Sequence, residues 1–329
     1  MTTTLHRNWL RLARLAAGLA FALCAAAAFG QSNYPNRPIR ILTPFSAGGG
    51  SDILARLIGP QITEAWGQPV IVDNRPGGGG TLGAGIAARA EPDGYTLIIV
   101  SGTYGTNGAL YKVPYDTVND IQPIILIGTT PLVLMVHPTL PVKNVADFIG
   151  YAKANPGKLS YGTAGVGDLA HLAGELFKQH TKIDMTQVPY KGSGPLMTAI
   201  VSGEVQSSIN SMVPAMPHIK TGRVRPIAVT TSQRTRQLPD TAALAETVPG
   251  YEVIHWYGMW GPKALPQEIV TRWNREVARI VKTDAMLKWF EREGMEPAAG
   301  PPQEFRDRLR ADLEKWKKVV KEAKIVVND

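Results

Sequence analysis

The sequence predicts an α/β protein of two lobes joined by two crossings of the chain, with a ligand cleft between the lobes. Apolar, strand-like runs alternate with helical patterns, which is typical of folds with mostly parallel sheets. A long apolar run at 122–138 suits a strand pair that passes from one lobe to the other, and a run at 251–262 suits the return crossing. We therefore expect residues 31–130 and 251–329 to form lobe 1, and residues 131–250 to form lobe 2.

The first thirty residues have the pattern of a signal peptide. Three arginines precede a short apolar stretch at 15–28, and small residues follow it, so we expect cleavage before Gln31 and a periplasmic location. An uncleaved membrane anchor is the alternative, but a spanning helix needs roughly 20 apolar residues. The single cysteine, Cys24, lies in this segment, so the mature chain can form no disulfide or thiolate metal site. Removal of the three arginines lowers the formal net charge from +8 to +5, which favours anionic small molecules.

Lobe 1 is expected to open with alternating strands and helices. Each predicted strand is rich in β-branched and aliphatic residues, and each is followed by small or polar residues. Ser51 or Asp52 is placed to cap the first helix. The third strand leads into a polar, glycine-bearing stretch. The expected strands are 39–45, 69–74 and 95–102, the helices are 51–66 and 81–90, and the polar stretch is 101–107.

The same alternation is expected to build lobe 2 and to end in helices. Asn144 can cap the first helix of this lobe, and Pro156-Gly157 stops that helix. At the C-terminus, apolar residues recur at three- and four-residue steps over 303–322, which predicts a helix with one apolar stripe. The expected helices of lobe 2 are 144–154, 169–180, 195–202 and 214–221, and the strands are 159–163, 185–190, 205–211 and 225–231.

Two glycine-bearing loops, each joining a strand to a helix, are the candidate ligand sites. They are "PFSAGGGSD" at 44–52 and "GTAGVGD" at 162–168. The start of a helix carries about half a positive charge and several unpaired N–H donors, which suits a carboxylate. Facing each other, the two loops could hold both ends of a dicarboxylate; alternatively, their glycines only make tight turns. Asp52 and Asp168 are expected to cap helices rather than contact ligand.

Further candidates lie at the other strand ends, where ligands of such sheets bind. Ser101, Thr103 and Asn210 follow predicted strands. Lys191 could pair with an anion or simply be solvated, and Tyr190 could contact ligand or pack in the core.

Several classes of chemistry are absent from the sequence. It contains no spaced histidine pair, no G-x-S-x-G elbow and no Walker lysine, and its basic residues are too scattered for nucleic acid. His171 and Glu175 could share a metal, but a capped or packed histidine is the favoured interpretation. Residues 78–83 match the G-x-G-x-x-G spacing of a dinucleotide site. That site needs an acid about 20 residues further on, and none occurs between Asp93 and Asp116.

Long motifs in this order resemble the periplasmic solute-binding proteins of tripartite tricarboxylate transporters, also called Bordetella uptake gene proteins. The resemblance runs from about residue 34 to the C-terminus and includes "YPNRPIRILTPFSAGGGSDILAR", "GQPVIVDNRPGGGGTLGAGIAARAEPDGYTL" and "VPYKGSGPLMTAIVSGEV". It implies a fold of the second periplasmic-binding-protein class, whose lobes close on a small carboxylate. It also implies delivery of that ligand to a membrane permease of two subunits.

The resemblance also implies which residues bind the ligand. In the first loop these are Pro44, Phe45, Ser46, Ala47, Gly48 and Asp52, and in the second Thr163, Ala164 and Gly165. Thr163 replaces the usual serine of the second motif. Neither donor loop contains a buried arginine, which indicates recognition by neutral dipoles and water rather than by a salt bridge.

We therefore expect a non-catalytic, monomeric protein without cofactor or metal that captures a dicarboxylate or an aromatic acid. A subunit that presents its ligand to a two-component receptor is the main alternative. A nucleotide-binding enzyme is the second alternative.

Overall fold

The computed structural model of this chain describes residues 34–323. The predicted signal peptide at 1–30 and its cleavage before Gln31 lie outside the described residues. Within them, no helix is both long enough and apolar enough to cross a membrane.

Strands and helices alternate as the sequence predicts. The strands are β1 (Ile39–Thr43), β2 (Val70–Asn74), β3 (Thr96–Ser101), β4 (Ile121–Val136), β5 (Ser160–Thr163), β6 (Thr186–Pro189), β7 (Ser207–Ser211), β8 (Arg225–Val229), β9 (Ala242–Ala243), β10 (Ile254–Pro262) and β11 (Glu296–Pro297). The helices are α1 (Gly50–Trp66), α2 (Thr81–Ala88), α3 (Thr103–Leu110), α4 (Val145–Ala154), α5 (Leu169–Thr181), α6 (Ser193–Ser202), α7 (Met212–Lys220), α8 (Leu244–Thr247), α9 (Gln267–Val281), α10 (Asp284–Glu293) and α11 (Pro302–Ala323).

The strands form two regions of one curved sheet that share β4. In the first half-sheet the order is β2-β1-β3-β10-β4, with β1 parallel to both of its neighbours and β10 antiparallel to β3 and β4. In the second half-sheet the order is β4-β7-β5-β6, with β8 also paired to β4. The chain is thus of the predicted α/β class, and β4 is the element that joins its two half-sheets.

The expectation of a strand pair over 122–138 is wrong, because β4 is one continuous strand of 16 residues. Its pairing partner changes in the middle. Residues up to Pro131 pair with β10, and residues from Leu132 onward pair with β7 and β8. Proline has no N–H to donate to a neighbouring strand. It therefore stands at the point where one ladder ends and the next begins.

The C-terminal helix α11 has the predicted apolar stripe, and this stripe is divided between two cores. Phe305 and Leu309 pack in a buried cluster with Trp256 and Trp260 of β10. Trp316, two turns further on, packs in the cluster of the second half-sheet. One helix therefore contributes buried surface to both half-sheets.

Helix α3 is one of the elements that the sequence does not predict, because residues 101–107 have the composition of a polar, glycine-bearing stretch. Its sequence, TYGTNGAL, is rich in polar residues and glycine, which have modest or poor helix propensity. Tertiary contacts compensate for this. The Thr106 hydroxyl donates to the carbonyl oxygens of Thr103 and Gly167 at 2.8 and 2.9 Å, and residues 103–107 are buried.

Candidate functional site

A cavity lies where the carboxyl ends of β1, β3, β5 and β7 meet. Its volume is about 30 Å³, enough for roughly two water molecules at about 10–15 Å³ each on this measure. Its lining is polar and comes from both half-sheets. The lining residues are Thr43, Phe45, Ser46, Gly49, Gly50, Ser51, Asp52, Ser101, Thr103, Leu132, Ala164, Asp168, Leu169, Ala170, Ser193, Asn210, Ser211, His255 and Tyr257.

Five helices begin at the wall of this cavity. The lining includes the first residues of α1, α3, α5 and α6, namely Gly50, Thr103, Leu169 and Ser193, and the N-cap residue of α7, Ser211. The first N–H groups of a helix have no acceptor within it, and the helix dipole adds a partial positive charge there. The cavity therefore has a positive character that comes from backbone dipoles.

Among the residues that the structure describes, no lysine or arginine lines the cavity. Arg56, next to the lining residue Asp52, forms an ion pair with its carboxylate at 3.0 Å, and the Arg56 side chain is 54% exposed. Two carboxylates, those of Asp52 and Asp168, do line the cavity. An anion bound here would be held by backbone dipoles and neutral side chains.

The loop before α1 leaves its helix start open. The N-cap position is occupied by Gly49, which has no side chain to cap the helix, so the expectation that Ser51 or Asp52 is the N-cap is wrong. Asp52 instead lies in the first turn, where its carboxylate accepts hydrogen bonds from the Gly48 N–H at 3.0 Å and from Arg56. Burial raises the pKa of Asp52, but these bonds outweigh it and hold the pKa below the ordinary value.

In the loop before α5, a side chain of the loop itself caps the start of the helix. Asp168 caps this helix as predicted, accepting from the His171 N–H at 2.7 Å and from the Ala164 N–H at 2.9 Å. Burial raises the pKa of Asp168 to about 7, although both N–H bonds lower it. The Thr163 hydroxyl donates to the Gly165 carbonyl oxygen and accepts from Gln187. The N–H of Ala164 and the hydroxyl of Thr163 are thus used within the second half-sheet.

Strand β10 presents alternate side chains to the cavity. His255 and Tyr257 line it, whereas Trp256 between them packs in the core, as expected for residues that alternate across a strand. The Tyr257 hydroxyl lies 2.7 Å from that of Ser211 in the second half-sheet. The His255 ring packs edge-on against Tyr257, at 4.9 Å between ring centroids. Burial, with a smaller contribution from the charge of Arg308, lowers the pKa of His255 to about 3, so its ring is neutral.

The two half-sheets touch directly around the cavity. The Ser46 N–H donates to the Lys191 carbonyl oxygen at 3.1 Å, and the Tyr111 hydroxyl donates to the carbonyl oxygen of Val166. A β-carbon on Gly194 would overlap the carbonyl oxygen of Ala47. Backbone atoms of the two half-sheets are therefore in direct contact beside the cavity.

A second depression lies next to the cavity and shares the lining residues Phe45 and Ala164 with it. Its volume is about 770 Å³, and it includes the four glycines at 77–80 that match part of the dinucleotide spacing. Gly79 lies against Val166 there, since a β-carbon on it would overlap that carbonyl oxygen. This close approach explains a small residue at position 79 without any nucleotide.

The predicted site residues fall into three groups. Seven line the cavity, three line only the outer depression, and four line neither. Those of the cavity are Phe45, Ser46, Asp52, Ser101, Thr103, Ala164 and Asn210; those of the depression alone are Gly165, Tyr190 and Lys191; the others are Pro44, Ala47, Gly48 and Thr163.

Sequence reasoning missed the contribution of β10 to the cavity. His255 and Tyr257 lie in the run at 251–262, whose apolar character predicts a crossing between the lobes rather than a ligand site. The alternation of polar and large apolar residues in "IHWYGMW" was the available signal, because it predicts opposite faces for His255 and Trp256. Ser193 and Ser211 were also missed, and both begin or precede helices.

The described residues contain no group of three or more metal-ligating side chains. His171 accepts a hydrogen bond from the Gly167 N–H at 3.0 Å and lies 4.0 Å from Glu175. This favours the packed, hydrogen-bonded histidine over a metal ligand.

Similarity to solved structures defines the class of protein first. The chain is similar to a structure described as periplasmic binding protein BugD, at 29% identity and a TM-score of 0.86, over 89% of this chain and 99% of that one. It is also similar to R. palustris Rpa4515 with adipate, at 38% identity and a TM-score of 0.86, over 89% and 99%. A third is MatC from Rhodopseudomonas palustris with bound malate, at 31% identity and a TM-score of 0.83, over 87% and 100%. The fold is that of a periplasmic binding protein.

The family follows from the sequence. A family model described as "Tripartite tricarboxylate transporter family receptor" matches residues 54–325. The chain belongs to this family, as the motifs at 34–56 and 67–97 predict.

Proposed function

We propose that the protein captures a small carboxylate in the cavity between its half-sheets and delivers it to a membrane permease. The observation that carries this proposal is the convergence of five helix N-termini on a cavity that no lysine or arginine lines. Each helix start stabilises a nearby anion by about 0.3–1 kcal/mol. Because the carboxyl group of Asp168 already occupies the start of α5, the other four together contribute about 1–4 kcal/mol, or roughly 5- to 900-fold in affinity.

The ligand enters and leaves by separation of two lobes. We assign residues 31–130 and 251–329 to lobe 1 and residues 131–250 to lobe 2, with hinges at Pro131 and near residue 251. A cavity that holds roughly two water molecules is too small for an acid with several carbon atoms, so the lobes must lie further apart than here both when they admit the acid and when they close around it. Ligand contacts made only in the closed form then shift the population toward closure.

Export and partners complete the proposal. The family is that of tripartite tricarboxylate transporter receptors. We infer that a signal peptide is removed before Gln31, that the protein acts as a periplasmic monomer without cofactor or metal, and that its permease has two subunits. Mass spectrometry of the exported protein tests the cleavage site, because any other N-terminal residue contradicts it.

The choice of ligand is guided by the related structures. Those of Rpa4515 and MatC contain adipate and malate, which supports a dicarboxylate. The experiment is a thermal-shift panel of mono-, di- and tricarboxylates, aromatic acids, neutral sugars and cations. Ligand at 100 times its Kd stabilises the folded protein by about 2.7 kcal/mol, which raises the melting temperature measurably. We expect at least one acid to do so, and stabilisation by a sugar or a cation alone would refute the proposal.

A matched pair of variants tests whether closure is needed. Gly194→Ala introduces a methyl group against the Ala47 carbonyl oxygen across the cleft, whereas Gly150→Ala introduces one into open space on α4. Only the first should abolish the ligand-induced rise in melting temperature.

A further inference from the structure

His255 has a polar ring atom that the protein leaves unpaired. The residue is 5% exposed and lines the cavity, yet Nδ1 has no hydrogen-bond partner within the part of the chain that the structure describes. Burial of a polar atom without a partner is unfavourable, so such atoms are rare unless a ligand or water supplies the partner.

The position of the ring is fixed by its neighbours. It packs against Tyr257, and a β-carbon on Gly102 would lie only 2.8 Å from Nδ1, so a glycine at position 102 lets the ring take this position. Tyr257 is held in turn by the hydroxyl of Ser211. The ring is therefore oriented without using Nδ1.

A neutral imidazole carries one N–H donor and one acceptor nitrogen. A ligand carboxylate can accept a hydrogen bond from the donor but has none to give to the acceptor. A hydroxyl group both donates and accepts, so it can pair with Nδ1 in either tautomer of the ring. The cavity also already holds the carboxyl groups of Asp52 and Asp168, and Arg308, whose charge reaches His255, is paired with Asp312 at 3.3 Å. Among the described residues, a second ligand carboxylate near His255 would therefore find no unpaired cation to balance it.

We propose that His255 is a specificity-determining residue that hydrogen-bonds a hydroxyl group of the bound acid, so that the preferred ligands are hydroxy acids. This inference rests on the proposed function, because it concerns the same cavity. One ligand carboxylate lies at the start of α1, and the hydroxyl group lies against β10.

The test compares malate with succinate, which differ by one hydroxyl group. Isothermal titration of the purified protein should give at least tenfold tighter binding of malate. In His255→Phe, which keeps a ring of similar size, we expect the ratio of malate to succinate affinity to fall about 5- to 150-fold, the loss expected for one buried hydrogen bond. His255→Asn keeps one donor and one acceptor and should recover part of the preference. His180→Phe, at an exposed histidine, is the control and should leave both affinities unaltered.

A second measurement uses the unaltered protein, in case His255→Phe does not fold. In histidine-labelled protein, malate should shift the ring nitrogen resonances of His255, whereas succinate should leave them in place. Binding of succinate as tight as that of malate, or a preference that survives in folded His255→Phe, overturns the inference and leaves carboxylate binding intact. If no acid on the thermal-shift panel binds, the proposed function fails and this inference fails with it.

Discussion

Asp168 offers the sharpest test of the electrostatics of the cavity. Its carboxyl group is 2% exposed and lines a cavity without lysine or arginine. Two backbone N–H groups bond it, but burial outweighs them and raises its pKa from 3.8 to about 7. The variant that tests this pKa is Asp168→Asn, which keeps an N-cap oxygen for the His171 N–H and removes the titrating group.

The expected size of the effect follows from linkage. In the unfolded chain the carboxyl group loses its proton near pH 3.8, whereas in the folded protein it keeps the proton to about pH 7. Between these values the folded state binds more protons than the unfolded state, so the free energy of unfolding falls as the pH rises. The difference between the two pKa values, at about 1.4 kcal/mol per pH unit, lowers the free energy of unfolding by about 4 kcal/mol. In Asp168→Asn this decrease is absent, because the asparagine side chain does not titrate.

Urea denaturation at a series of pH values from 4 to 8.5 measures the effect. The quantity of interest is the difference in free energy of unfolding between Asp168→Asn and the unaltered protein, because contributions from other groups cancel in it. We expect this difference to shift by about 4 kcal/mol in favour of the variant as the pH rises through 4 to 8. Asp240→Asn, at an exposed aspartate, is the control. A difference that stays within about 1 kcal/mol would show that helix dipoles keep Asp168 ionised and would refute the reasoning.

Three further outcomes are expected. Trp316→Ala removes the ring that α11 contributes to the second core, and should lower the free energy of unfolding by about 3–5 kcal/mol in urea denaturation. Tyr111→Phe removes the hydrogen bond to Val166 across the cleft, and calorimetry should show ligand affinity lowered by roughly 2- to 10-fold. Because no cation lines the cavity, ligand affinity should change less than about threefold between 50 and 500 mM salt, and a steep salt dependence would indicate a charged side chain at the ligand.

Much of the fold could be predicted because periodicity and turn residues agree along this chain. The stripe of α11 and the caps of α4 and α5 are local patterns, and the structure shows each of them. The continuity of β4 could not be predicted, since Gly128 and Pro131 ordinarily interrupt a strand. Here a change of pairing partner at Pro131 lets the strand continue. Helix α3 was missed for the related reason that tertiary hydrogen bonds override weak propensity.

The sequence predicts those site residues that lie at strand ends. It does not predict those whose place in the site depends on the direction of a side chain. Phe45, Ser101 and Asn210 reach the cavity because a parallel sheet gathers its carboxyl ends at one edge. Hydrogen bonds within the loops decide which loop atoms remain available to a ligand, and no sequence motif predicts these bonds. Thr163 illustrates this, since its hydroxyl is used by Gly165 and Gln187.

These internal bonds make the two donor loops unequal. In the second loop, Asp168 already accepts from the Ala164 and His171 N–H groups, so a carboxylate occupies the place that a ligand carboxylate would take. In the first loop, Gly49 leaves the start of α1 without a side-chain cap. A bound acid should therefore place its carboxylate at α1 and turn its remaining groups toward the second lobe and β10. Because those groups meet hydroxyls, an amide and a neutral imidazole rather than lysine or arginine side chains, we expect selectivity among acids to be decided by hydrogen bonding to the part of the ligand that lies away from α1.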